Sequence, residues 1–175
     1  MKPKLMFLIV IWLGAALMVG AAEKDKLNPN LEPLRPLLNK TMKGTFKNAD
    51  KPTVDVQRWE SALKGQAVRL RHSINDGVYA GETMFVWDET KKSIVYYYFT
   101  TAGFMTTGTL EVKEGKFITH EEVKGNAGGV AEVRGTSYLQ DGKLYVKTEY
   151  LKDGEWVQVR ETTYEESPTS KVVID

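Results

Sequence analysis

His72 and His120 are the only histidines in the chain, and no cysteine accompanies them. Without a thiol, sulfur nucleophiles, Cys-ligated zinc or iron–sulfur sites and a Cys-anchored lipid are all excluded. His72 stands in an alternating run, with Val68, Leu70 and Ile74 on its side and Arg69 and Arg71 on the other. Strand alternation turns the apolar set inward. An inward histidine can serve as the axial ligand of a buried haem iron, or it can have both ring nitrogens satisfied within the core. The second role is the expectation here. His120 shares a face with Ile118 and Glu122 and is expected at the surface; the triplet His120-Glu121-Glu122 lacks the second histidine of a zinc-protease helix.

The carboxylate neighbours Glu121/Glu122 and Glu165/Glu166 cannot flank one scissile bond, because adjacent strand residues point to opposite faces. A solvated edge is their expected role. Trp156, Gln158 and Arg160 fall on one face of the last β-like run, and Val157 and Val159 on the other. If the first face is inward, Arg160 is a buried cation that needs an anionic head group such as a carboxylate. If the valines are inward, Arg160 is a surface residue, and the reading leans slightly to this side. There is no Gly-x-Ser-x-Gly elbow and no dinucleotide fingerprint between a strand and a helix. Gly103 and Gly108 have P-loop spacing, but Thr109 follows instead of Lys. The glycine-rich stretch 125–129 reads as a loop at a barrel end, although its backbone N–H groups could cradle an anion.

The elements that position these residues are short. From 41 to 165, β-rich runs cover 41–47, 54–60, 66–74, 79–87, 93–100, 104–112, 116–123, 130–139, 143–151 and 155–165. Between them stand turn signals such as Asn75-Asp76-Gly77, Thr101-Ala102-Gly103, Lys113-Glu114-Gly115, Asp141-Gly142 and Asp153-Gly154, which tolerate the positive φ of tight hairpins. No stretch has the 3.6-residue periodicity of a crossover helix, so the sheet is expected to be an antiparallel meander. Ten sequential strands leave two exposed edges unless they close. The expected fold class is therefore an all-β, up-and-down antiparallel barrel of about ten strands.

In the run 93–100 both faces are apolar or aromatic, with Val95, Tyr97 and Phe99 opposing Ile94, Tyr96 and Tyr98. Coverage on both sides is expected, by a plug or a partner chain. Phe104, Thr106, Gly108, Leu110 and Val112 share a face whose mixed, partly small residues suggest a cavity. The candidate ligand-facing set is His72, Tyr97, Phe99, Thr106, Gln158 and Arg160. Ahead of the barrel, residues 23–40 carry Leu31, Leu34, Leu37 and Leu38 at spacings of three and four, which suits a short helical plug; Pro33 and Pro36 limit it to a turn or two.

Lys2 and Lys4 precede a charge-free run from Leu5 to Ala22 that ends in small residues. This reads as a signal peptide over 1–22, with export to the periplasm or outside the cell. The 175 residues contain 24 Lys plus Arg and 23 Asp plus Glu. Loss of Lys2 and Lys4 with the signal leaves the remainder formally slightly acidic, with no basic surplus to favour nucleic acid. The organisation is then signal 1–22, leader 23–40, barrel 41–165 and tail 166–175.

Gly44-Thr45-Phe46 on the first run, Arg58-Trp59-Glu60 with Leu63 and Gly65 before a long strand, Tyr79-x-Gly81, and Trp87-Asp88 ahead of a turn follow the leucine-bearing lead-in. In these features the chain resembles the bacterial lipocalin-like barrels of uncharacterised function in the calycin superfamily. That family typically has Gly-x-Trp where Phe46 stands, with an arginine stacked on the ring. The resemblance implies a barrel that binds a small apolar or amphipathic molecule, with no assigned catalytic residue, cofactor or metal. A haem-binding or enzymatic barrel using His72, and a dimerising interaction protein, are the alternatives.

Overall fold

The computed structural model describes residues 26–47, 49, 51–123 and 130–174; the expected signal peptide and the glycine-rich stretch 125–129 lie outside them. Ten antiparallel strands follow one another: β1 (Thr41–Phe46), β2 (Val54–Ala62), β3 (Ala67–Ile74), β4 (Tyr79–Asp88), β5 (Ser93–Thr100), β6 (Met105–Lys113), β7 (Lys116–Glu122), β8 (Val130–Gln140), β9 (Lys143–Lys152) and β10 (Glu155–Glu166). Each pairs with the next, and β1 pairs with β10, from Met42 opposite Glu166 to Phe46 opposite Thr162. The expected closed meander is therefore the architecture. Its sharpest turns use the chemistry read from the sequence: Asp141 and Gly142 have φ of 51° and 75°, and Asp153 and Gly154 have 52° and 84°. Two successive positive φ values suit the right-handed twist of the strands they join.

The plug is longer and tighter than expected. Residues Pro29–Leu37 form a 3₁₀ helix started by Asn28, whose side chain accepts a hydrogen bond from the Asn30 N–H at 3.0 Å. In a 3₁₀ helix, residues three apart eclipse one another. Leu31, Leu34 and Leu37 therefore stand in one row, and all three are buried. Pro33 and Pro36 do not break this helix, whereas an α-helix would have been limited by them. Backbone bonds fix the plug to the barrel, from Asn28 N–H to the Gly65 carbonyl at 2.8 Å and from Asn39 N–H to the Trp59 carbonyl at 2.8 Å. The leucines join Met42, Trp59, Val68, Phe85, Leu110 and Leu144 in the core.

One irregularity decides the direction of the last strand. Opposite β9, Gln158 faces Glu149 but Arg160 faces Thr148, so Val159 is an extra residue in a bulge. Simple alternation fails across a bulge. After β10, the tail ties down on the outer wall: Ser167 N–H donates to the Thr41 carbonyl at 2.8 Å, and Val173 N–H to the Ser73 hydroxyl at 3.0 Å.

Candidate functional site

The barrel interior holds two adjacent chambers that share Gln57, Leu70, Phe85, Thr119 and Val146. The chamber next to the plug, about 150 Å³, is walled by Leu34, Leu37, Trp59, Leu110, Phe117 and Leu144. The one above it, about 270 Å³, brings in Asp55, His72, Tyr98, Glu121, Arg160 and Thr162. Apolar residues of a helix and strands meet at the first, and polar side chains converge in the second.

Asp55 is the hub of the polar chamber. It is buried, and its two oxygens accept from three donors: His72 Nδ1 at 2.9 Å, Gln57 Nε2 at 3.1 Å and the Tyr164 hydroxyl at 2.7 Å. A buried carboxylate is tolerable only when its lone pairs are filled in this way. The other nitrogen of His72, Nε2, lies 2.8 Å from the Tyr98 hydroxyl, which in turn donates to the Tyr79 hydroxyl at 2.9 Å. His72 is thus inward and engaged at both nitrogens. A haem iron would have to displace Tyr98 or Asp55 from it, and a chamber of about 270 Å³ with both His72 nitrogens engaged does not fit the group. Among the described residues no cluster of three or more His, Asp or Glu is placed to hold a metal ion.

Burial raises the Tyr98 and Tyr164 hydroxyls well above the ordinary phenol value, helped by Tyr79 beside the first and by the Asp55 charge beside the second. Both remain protonated donors at neutral pH. Glu121 accepts from the Tyr96 hydroxyl at 3.2 Å, and burial raises its carboxyl above the usual carboxylate range. The expected solvated-edge role does not hold for Glu121, whose side chain turns inward while Glu122 does not line this chamber.

The sign of this shift gives a pH test. A raised folded-state pKa means that the folded form binds a proton more readily than the unfolded form. Glu121 therefore contributes stability that is present below the ordinary glutamate value and lost as pH rises through its raised folded value. Glu121→Gln, which keeps an acceptor for Tyr96, should remove that loss. The expected result is a variant more stable than the parent at pH 7, with the difference shrinking towards pH 4 in urea unfolding. A pH-independent difference would show that folding does not raise the Glu121 carboxyl.

Arg160 points into the upper chamber, and the outward placement favoured from the sequence is corrected by the bulge at Val159. Its guanidinium stacks on Phe46, 4.2 Å from the ring centroid. An aromatic at this position therefore carries a stacked arginine even without tryptophan. Thr162, two residues on, is 1% exposed, and its hydroxyl has no hydrogen-bond partner among the described residues. Gln158 and Trp156, expected with Arg160, are on the outer surface, where Arg134 lies 4.3 Å over the Trp156 ring.

Tyr97 and Phe99 are also corrected. They are 42% and 48% exposed on the outer wall, with Met105 opposite Phe99, while Tyr96 and Tyr98 line the chamber. Thr106 pairs across from Tyr98 and so shares the inner face. His120 is exposed. Sequence reasoning missed Asp55, Tyr98, Glu121 and Thr162.

Three glycines make room for the tyrosines. A Cβ on Gly44 would lie 2.8 Å from the Tyr164 ring, one on Gly81 2.4 Å from the Tyr98 ring, and one on Gly108 2.4 Å from Tyr96 and 2.3 Å from the His120 carbonyl. Each ring can lie against the wall because its neighbour has no side chain. Gly108→Ala should cost about 1–3 kcal/mol in urea unfolding, as overpacking does. An unchanged midpoint would mean that Tyr96 lies elsewhere.

No family model matches this sequence, and no curated protein matches it either. Among solved structures, the chain is similar to the crystal structure of Rv2717c from M. tuberculosis, with a TM-score of 0.58 and 12% sequence identity over 81% of this chain and 99% of that one. At this identity the likeness shows the barrel fold alone.

Proposed function

We propose that the protein is an exported, lipocalin-like barrel that binds a small amphipathic molecule in its interior and does not transform it. The observation that carries this reading is the pair of chambers, apolar beside the plug and polar above it. Ligand pockets commonly combine apolar walls with a few convergent polar groups. The engagement of His72 at both nitrogens supports binding over catalysis, because neither nitrogen is free to act as a base without breaking the Asp55 or Tyr98 contact. The N-terminal charge and apolar pattern supports export. Native mass spectrometry of the purified protein tests the reading. A retained small molecule, released on denaturation, is the expected result; failure to retain or take up any member of an amphipath panel would sink it.

A second reading, self-association, is favoured by the outer row of Tyr97, Phe99 and Met105, all more than 40% exposed. Sedimentation velocity would show a concentration-dependent dimer if it is right, and a monomer at all concentrations if it is wrong.

A further inference from the structure

Arg160 lines the polar chamber together with Asp55 and Glu121, and neither carboxylate is bonded to it. Asp55 is filled by His72, Gln57 and Tyr164 and has no bond to Arg160. Glu121 is bound by Tyr96 and turned towards its neutral form by burial. Arg160, partly buried on Phe46, makes no hydrogen bond or ion pair among the described residues. Beside it on the same strand face, Thr162 carries a buried hydroxyl with no partner. A guanidinium offers five donors, and a hydroxyl left unbonded in the interior costs free energy. Both groups line one chamber, and both lack the same thing, an acceptor oxygen.

We propose, building on the ligand-binding reading above, that the ligand is a small monocarboxylate whose head group pairs with Arg160 and accepts from Thr162, while its apolar part reaches past Phe85 towards Trp59 and Leu34. A planar carboxylate matches the fork of one guanidinium. A phosphate ester carries more charge and is usually met by several cations or by a nest of backbone N–H groups; this chamber supplies one arginine. The apolar part extends towards the chamber beside the plug, whose walls are mainly hydrocarbon, with Gln57, Thr119 and Ser137 the polar side chains among them.

The test compares octanoate, 1-octanol and octyl phosphate by calorimetry and by the fluorescence of Trp59, which lines the lower chamber. Octanoate should bind at least roughly tenfold more tightly than octanol, the scale of a charge-assisted hydrogen bond. Arg160→Gln should abolish that preference and leave octanol unchanged, and Arg160→Lys should restore part of it. Because Arg160→Gln also removes the stacking on Phe46, Thr162→Val is the second variant. It should weaken octanoate several-fold and octanol less. Equal binding of octanoate and octanol would overturn the head-group assignment and leave the barrel a binder. Tighter binding of octyl phosphate than octanoate would overturn the carboxylate class. Binding of none of the three would overturn the ligand-binding reading, and the head-group assignment with it.

Discussion

Replacing Asp55 by alanine should destabilise the barrel by about 3–5 kcal/mol, the range for removing one member of a buried, hydrogen-bonded polar network. The loss is large because three donors are stranded at once, His72 Nδ1, Gln57 Nε2 and the Tyr164 hydroxyl. Each buried donor without an acceptor costs free energy by itself. For a chain of this size the melting temperature should fall by roughly 10 °C. Asp55→Asn, which keeps one acceptor oxygen, should lose less. Urea and thermal unfolding measure both, and a cost under about 1 kcal/mol for Asp55→Ala would mean that the network is not closed in solution.

The second large effect is expected at the plug. Leu34 is 1% exposed and stands in the middle of the leucine row. Leu34→Ala should cost about 2–5 kcal/mol, which combines lost burial with a cavity that a closed barrel cannot collapse around. It should also enlarge the lower chamber, so longer apolar ligands should gain relative to shorter ones. Leu38→Ala, one residue beyond the helix and only partly buried, is the control and should cost less. Equal costs at the two positions would show that the row does not act as a seal.

Most of the fold was legible from the sequence because tight turns announce themselves. Every expected strand is present to within a residue or two, since pairs such as Asp141-Gly142 fix both the end of one strand and the start of the next. The interior was harder to read, for two physical reasons. At β10, simple alternation places Arg160 on the face of Gln158, and the bulge at Val159 puts it on the opposite one. No residue type in Gln158-Val159-Arg160 signals a bulge. At β5, both faces are aromatic, so composition alone could not choose between Tyr97 and Tyr98. The pairing could have: Thr106 stands opposite Tyr98, and an inward Thr106 therefore requires an inward Tyr98. Asp55 escaped notice because a single acid in a strand looks like a solvated residue until its three donors are brought to it from β2, β3 and β10.

The pairing of β1 with β10 also bears on how the molecule forms. Met42 meets Glu166, and the Tyr164 hydroxyl meets Asp55 across 109 positions of sequence. Contacts of such long range come with a loop-closure cost that local hairpins avoid, and chains rich in them fold slowly. The eight hairpins from β2 to β10 can each form locally, whereas the seam can join only after the last strand exists. Until then β1 and β10 are unpaired edges, open to another chain. The Asp55 and Tyr164 bond thus also ties β2 to β10 across the seam, and until the seam closes the edges of β1 and β10 are open to the same pairing with another chain.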